Sequence, residues 1–207
     1  MSFRTTGLPF SRRQIAGLVA IFVGLAWMSH WVALHKGMPH RLVRVIAGRP
    51  DASMRVAFSP GSEQNSAEHL ALSEINRAHD QILIAANELT SVPVIEALVD
   101  AHEMRKVNVM AVLDRSQGNP SFSAARILHD SGIDVRIEKA TTALRDQFVI
   151  VDGATVQTGS FRYEQMSGRD SADNAIAIDD DDVARQYVGE WLRLWNESEP
   201  FSVTRKS

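Results

Sequence analysis

The stretch RDQFVIVDGATVQTGSFR, running from Arg145 to Arg162, decides the fold. Gln147–Val151 is a continuous apolar run rich in β-branched residues, and Thr155–Thr158 is a second strand-like run. Asp152-Gly153-Ala154 separates them. An Asp-Gly pair between two such runs marks a hairpin, because glycine accepts the positive φ a tight turn requires.

Outward from this hairpin the chain alternates. On the N-terminal side, Met54–Phe58 reads as a strand that ends at Ser59-Pro60-Gly61. Ser66–His79 is spaced as an amphipathic helix, with Ala67, Leu70, Ala71, Ile75 and Ala78 on one face. Gln81–Ala86 is a short buried strand, Val92–Arg105 a helix, Val107–Leu113 a strand, Ser121–His129 a helix and Asp134–Ile137 a strand. On the C-terminal side, Asn174–Ile178 is a strand. A last helix follows Asp179–Asp182, whose carboxylates suit a helix N-terminus. Val183, Tyr187, Trp191, Leu194 and Trp195 form its apolar stripe. Strand–helix alternation followed by a hairpin predicts an α/β sandwich with a mixed sheet.

The 207 residues suit one domain with an appendage. Cysteine is absent, which excludes disulfides, thiol nucleophiles and Cys-based metal sites. Residues 1–50 carry seven basic side chains and no acidic one, whereas the remainder holds 15 Lys+Arg against 25 Asp+Glu. Such an acidic body is a poor general match for nucleic acid or anionic lipid, so any phosphate contact must be local. Nucleic acid is therefore possible as a partner but not favoured.

Ile15–Leu34 is apolar over a length that can cross a bilayer as a helix, with Arg12 and Arg13 before it and Trp27 and Trp31 near its far end. Two readings compete: an uncleaved signal anchor, or a signal peptide with Gly24-Leu25-Ala26 as its cleavage site. The expected organisation is a membrane anchor or signal segment over 1–36, a basic linker over 37–53, a domain over 54–198 and a tail over 199–207. The expected location is the cell envelope, anchored in the inner membrane with the domain periplasmic, or secreted to the periplasm after cleavage.

The spacing of the deciding stretch resembles the signature of the phospholipase D superfamily, which reads HxK, four residues, D, six residues, GSxN. Asp152 falls on the family Asp, Gly159 and Ser160 on the family GS, and Asp173-Asn174 resembles the acidic-Asn pair of the small bacterial endonuclease branch. AFSPGS (Ala57–Ser62), EALVDAHEMRKVNVMAVLD (Glu96–Asp114), ILHDSGIDVRI (Ile127–Ile137) and GEWLRLWN (Gly189–Asn196) extend the likeness over residues 54–196. The resemblance implies a phospholipase D-like α-β-α sandwich with a mixed central sheet, preceded here by an N-terminal hydrophobic helix. It implies metal-free phosphodiester hydrolysis without a cofactor, and a dimer that brings two HxK motifs together, either a homodimer or a heterodimer with a related chain.

Three departures bear on function. Arg145 stands at the family His, Gln147 at the family Lys and Arg162 at the family Asn. The family His attacks phosphorus, and a second His protonates the leaving oxygen. A guanidinium does neither, since it stays protonated and has no acceptor lone pair. An amide at the Lys position is a weaker partner for developing negative charge. The motif positions Arg145, Gln147, Asp152, Ser160, Arg162 and Asp173 therefore read as a degenerate site. Arg145, Ser160 and Arg162 are candidates for binding an anion without turning it over. The plainer alternative is that Arg145 pairs with Asp173 or with a dimer mate.

His69, His79, His102 and His129 lie on predicted helices outside any HxK context. Asp114, Arg115 and Asn119 could rim the site after a strand C-terminus, although a plain solvated turn explains them better. The functional expectation is a catalytically silent envelope protein that acts by binding. The alternatives are an active nuclease or phospholipase with an unusual nucleophile or an intact partner subunit, and a membrane-tethered oligomerisation module.

Overall fold

The structure is a computed structural model, and it describes residues 52–118, 123–139, 141, 143–164 and 171–203. The apolar run 15–34 and residues 37–51 of the expected linker lie outside these residues, while Ser53 already belongs to the first strand. Among the described residues no helix is long and apolar enough to cross a membrane.

An eight-stranded mixed sheet forms the centre, in the order β1-β7-β6-β5-β2-β3-β4-β8. Its strands are β1 (Ser53–Ser59), β2 (Gln81–Ala86), β3 (Asn108–Asp114), β4 (Asp134–Glu138), β5 (Phe148–Val151), β6 (Thr155–Gly159), β7 (Asp173–Asp179) and β8 (Glu199–Pro200). β2, β3 and β4 run parallel. The β5–β6 hairpin and β7 join antiparallel, as does β1 at the far edge. The helices are α1 (Ala67–Arg77), α2 (Val92–Glu103), α3 (Ala124–Asp130) and α4 (Asp181–Glu197).

Two apolar cores sandwich the sheet. On one face α1, α2 and α3 pack Ile75, Leu98 and Leu128 against Ile82, Ile84, Val109 and Val149. On the other, α4 packs Trp191 and Leu194 against Leu83, Val112, Ile150 and Val156. Both faces of the parallel strands are thus covered, which is why β2 reads as unbroken hydrophobic sequence rather than as an alternation. The aromatic stripe expected on the last helix is core: Trp191 stacks on Trp195 with ring centroids 4.8 Å apart. Its Nε1 donates to the Ile84 carbonyl at 3.1 Å.

The acidic run before α4 divides its work. Asp180 caps the helix by accepting from the backbone N–H of Asp182 and Val183, at 2.8 and 3.0 Å. Asp179 instead turns to β1, where Arg55 Nη2 lies 3.0 Å away. Arg55 also donates to Glu74 of α1, which is fully buried and takes a second contact from Arg77 at 3.0 Å. This network ties the edge strand to the helix above it. Glu74→Ala removes the carboxylate that two arginines share, and should cost about 3 kcal/mol, the low end for breaking a buried ion pair. The urea-unfolding midpoint of the variant measures it.

The described part of the expected tail, residues 199–203, begins with a short edge strand. Glu199–Pro200 pairs with β4, and the buried Phe201 donates its N–H to the Val135 carbonyl at 2.9 Å. A two-residue strand has no periodicity to read, so only the tertiary contact reveals it. Ser123 caps α3 through the Arg126 N–H, which sets that helix start two to three residues later than its predicted beginning at Ser121.

Candidate functional site

The sheet brings most of the motif positions to one end. The parallel strands β2 and β3 finish there, β5 starts there, β6 finishes and β7 starts. Loops at strand C-termini are the usual place for a site in such a sheet. Gln147, Gly159, Ser160, Arg162 and Asp173 converge at this end, with Arg145 two residues before Gln147.

Asp152 does not join them. It sits in the β5–β6 turn, five residues along the strand from Gln147, or about 16 Å at the usual rise. There its carboxylate accepts backbone N–H bonds from His79 (3.0 Å), Asp80 (2.8 Å) and Gln81 (2.9 Å). Burial raises its pKa, but these three donors outweigh it and hold the carboxyl below the usual range. Asp152 also has φ of 50°, a left-handed conformation that Asp and Asn tolerate. Its role is to pin the hairpin to the start of β2. A depressed folded pKa adds stability above the unfolded pKa and loses it as pH falls through the folded value. Asp152→Asn should therefore cost about 1–2 kcal/mol at neutral pH, from lost charge-assisted bonds. The gap from wild type should close in acid, as read by urea titrations at a series of pH values.

Gln147 is buried and fully engaged. Its Oε1 accepts from the Asn87 N–H at 2.9 Å, and its Nε2 faces the Glu88 carbonyl at 3.5 Å. Asn87 in turn donates to the Leu144 carbonyl at 2.6 Å. The amide therefore stitches the loop before β5 to the end of β2. The same loop is fixed by Asp114, whose carboxylate accepts from the N–H of Leu144 (2.7 Å) and of Ser116 (2.9 Å). Arg115 donates to the carbonyls of Lys139 and Thr141. Both rim candidates are scaffold for this loop, and Asn119 lies outside the described residues.

Ser160 is exposed and has two roles. Its Oγ donates to Asp173 Oδ1 at 3.2 Å and accepts from the Asn174 N–H at 3.0 Å. The chain reaches it through Gly159, which has φ of 152° and lies against the Asn174 carbonyl. Beyond Ser160, Phe161 and Tyr163 enter the core edge to face. The Tyr163 hydroxyl donates to Gln157 at 2.6 Å, and its carbonyl accepts from Thr90 and Ser91. Burial pushes the Tyr163 phenol far above its usual pKa, so it stays protonated.

Arg162 meets a carboxylate rather than open space. Its Nε lies 2.7 Å from Glu164 Oε1. Burial raises the Glu164 pKa first, the Glu88 carboxylate raises it further, and Asp173 adds to the effect, while Arg162 opposes them. Arg162 therefore faces Glu164 beside two further carboxyl groups, Glu88 and Asp173. Nothing in the motif signalled Glu88 or Glu164, because both lie outside the conserved spacing of the signature. Arg145 is exposed, and no side-chain hydrogen bond or ion pair joins it to a described residue. The four histidines expected on helices are elsewhere, and His79 lies past the end of α1 rather than on it. His102 Nδ1 lies 3.3 Å from the Val107 carbonyl and His129 packs against Phe201, while His69 and His79 contribute backbone N–H bonds.

Residues 71–195 match the family described as cardiolipin synthase, PLD-like domain. The chain belongs to the phospholipase D superfamily. Among its phospholipase D relatives, a protein named phospholipase D from Rickettsia felis is 34% identical over 119 residues, covering 58% of this chain and 59% of that protein. The chain thus spans about three-fifths of the length of that relative. Human mitochondrial cardiolipin hydrolase is 24% identical over 91% of this chain and 80% of its own. Among solved structures, the phospholipase D family member Nuc from Salmonella typhimurium superposes with a TM-score of 0.68 at 29% identity, over 74% of this chain and all of Nuc. The phospholipase D-like α/β fold with its mixed sheet is thereby established.

Proposed function

We propose that this chain is a phospholipase D-like protein of the cell envelope that binds without hydrolysing phosphodiesters. The observation that carries the reading is the pair Arg145 and Gln147. A guanidinium stands where a phosphorus nucleophile is needed, and the neighbouring neutral amide has its oxygen taken by the Asn87 N–H. Among the described residues, the rings of His102 and His129 lie against the Val107 carbonyl and Phe201. The carboxylates of Glu88, Glu164 and Asp173 favour a basic protein group over a phosphate as the bound species. The apolar run 15–34 supplies the membrane tether.

Purified full-length protein is expected to release no p-nitrophenol from bis-p-nitrophenyl phosphate, and to leave DNA intact, at any pH across the neutral range. Turnover by wild type that disappears in Ser160→Ala would overturn this reading and point to an unusual nucleophile. Turnover that appears only on adding a related chain with an intact HxK would assign the chemistry to the partner.

A further inference from the structure

The sheet face opposite α1 is unevenly covered. α4 lies over β6, β5, β2, β3 and β4, and past β6 the face is carried by β7 and β1. Met54 stands opposite Ile178 and Val56 opposite Ile176, with Phe58 continuing the row beside Asn174. Residues paired across antiparallel strands share a face, so these apolar side chains project from it together. Arg55 and Ala57 point the other way, Arg55 to Glu74 on α1 and Ala57 to the core beneath it. Met54 is 62% exposed, Val56 56% and Phe58 64%, while Ile176 and Ile178 are half-buried and belong to neither core. A contiguous row of large apolar side chains in water marks a contact surface.

Its size and its place in the chain say what covers it. The row occupies two strands about 4.8 Å apart and runs for about 15 Å, a footprint of roughly 150–200 Å². A stable complex of two proteins buries about 800 Å² per partner, so this face is too small to hold a soluble partner by itself. A bilayer needs no such area when the chain is already fixed to it, because a tether keeps the surface at high effective concentration. β1 follows the apolar run 15–34 with only residues 35–52 between them. That joint carries Lys36, Arg41, Arg44 and Arg49 against one carboxylate, Asp51, which suits anionic headgroups. Across Met54, Val56, Phe58, Ile176 and Ile178 the face offers hydrocarbon and thioether groups without charge, a composition that enters the headgroup boundary.

We propose that the β1–β7 face docks on a lipid bilayer, with Met54, Val56 and Phe58 seated among the headgroups. Ser59 pairs with Asp173, so the motif end of the sheet lies at the margin of this contact. Docking rests on the reading of 15–34 as a tether and is independent of hydrolysis.

The chain contains no cysteine, so a single introduced thiol carries a single probe. Full-length Val56→Cys, Phe58→Cys and Met104→Cys chains, each labelled with a nitrobenzoxadiazole fluorophore, are reconstituted into vesicles of phosphatidylcholine and phosphatidylglycerol. Met104, exposed at the end of α2, is the control. A probe seated about 5–10 Å into the interface should lose roughly half its emission when the acyl chains are brominated. Positions 56 and 58 should show that loss and position 104 none. Adding Phe58→Asp to the Val56→Cys chain should abolish it, and both changes fall on exposed side chains. Equal loss at all three positions, no loss at 56 and 58, or undiminished loss in the Phe58→Asp chain overturns docking. A blue shift at 56 and 58 without bromine quenching also overturns it and assigns the face to protein, whether a second copy or another segment of this chain. Flotation of the vesicles separates docking from the tether. A chain that fails to float removes both together, whereas flotation without quenching removes docking alone.

Discussion

The triple variant Arg145→His, Gln147→Lys, Arg162→Asn is expected to hydrolyse bis-p-nitrophenyl phosphate about a thousandfold faster than wild type, whose rate should equal background. The expectation follows from what each change supplies. Imidazole at 145 brings a lone pair for phosphorus, and its near-neutral pKa suits a ring to proton transfer as well. Lysine at 147 brings a full charge to the developing phosphorane, and one such donor is commonly worth about 10²–10³ in rate. Asparagine at 162 removes the guanidinium paired with Glu164. Arg145→His alone should give far less, because the oxyanion would still face an amide and three carboxyls. The gain also has a structural cost. Gln147 Oε1 is the acceptor for the Asn87 N–H, and lysine leaves that donor without its partner. The triple variant should therefore unfold at lower urea than wild type by about 1–3 kcal/mol, the usual range for an unmet buried donor. Steady-state hydrolysis and urea unfolding on the same preparations measure both effects.

Gly159→Ala should be the most damaging single methyl in the described chain. A Cβ at 159 would stand 2.2 Å from the Asn174 carbonyl oxygen and 2.9 Å from the Ala175 Cα. Both are backbone atoms of β7, so no side chain can swing aside. The φ of 152° adds strain for any L side chain. Relief requires β6 to part from β7 at the point where Ser160, Phe161 and Tyr163 are placed. A loss of about 3 kcal/mol or more is expected, the range of cavity-scale or overpacking damage. Two other glycines calibrate the effect. Gly153 sits at φ of 64° with open space around it, so Gly153→Ala should cost only about 1 kcal/mol of backbone strain. Gly189 lies within α4 with nothing near its missing Cβ, so Gly189→Ala should stabilise by about 0.5–1 kcal/mol. Urea-unfolding midpoints for the three alanines should fall in that order.

Local chemistry made much of the fold legible. The Asp152-Gly153 turn, the unbroken apolar β2 and the acidic entry to α4 each speak through a few adjacent residues, and each appears where its sequence places it. The strand order was not legible. That β1 pairs with β7, 120 residues later, depends on the Arg55–Glu74–Asp179 network and on matching faces, neither of which has a local signal. The site divides in the same way. The motif spacing located Arg145, Gln147, Ser160, Arg162 and Asp173 at one sheet end. It could not show that Asp152 serves the opposite end, because strand length, not sequence order, separates them. Nor could it show that Glu88 and Glu164 come together, since that happens only where the segment after β2 meets the segment after β6.

Label transfer from a ³²P-phosphodiester during incubation tests the silent-nucleophile claim most directly. After denaturation, the triple variant should retain an acid-labile phosphoryl group mapped to position 145. The natural chain, with guanidinium at that position, should retain none. Radiolabel bound covalently to the natural chain would contradict the account.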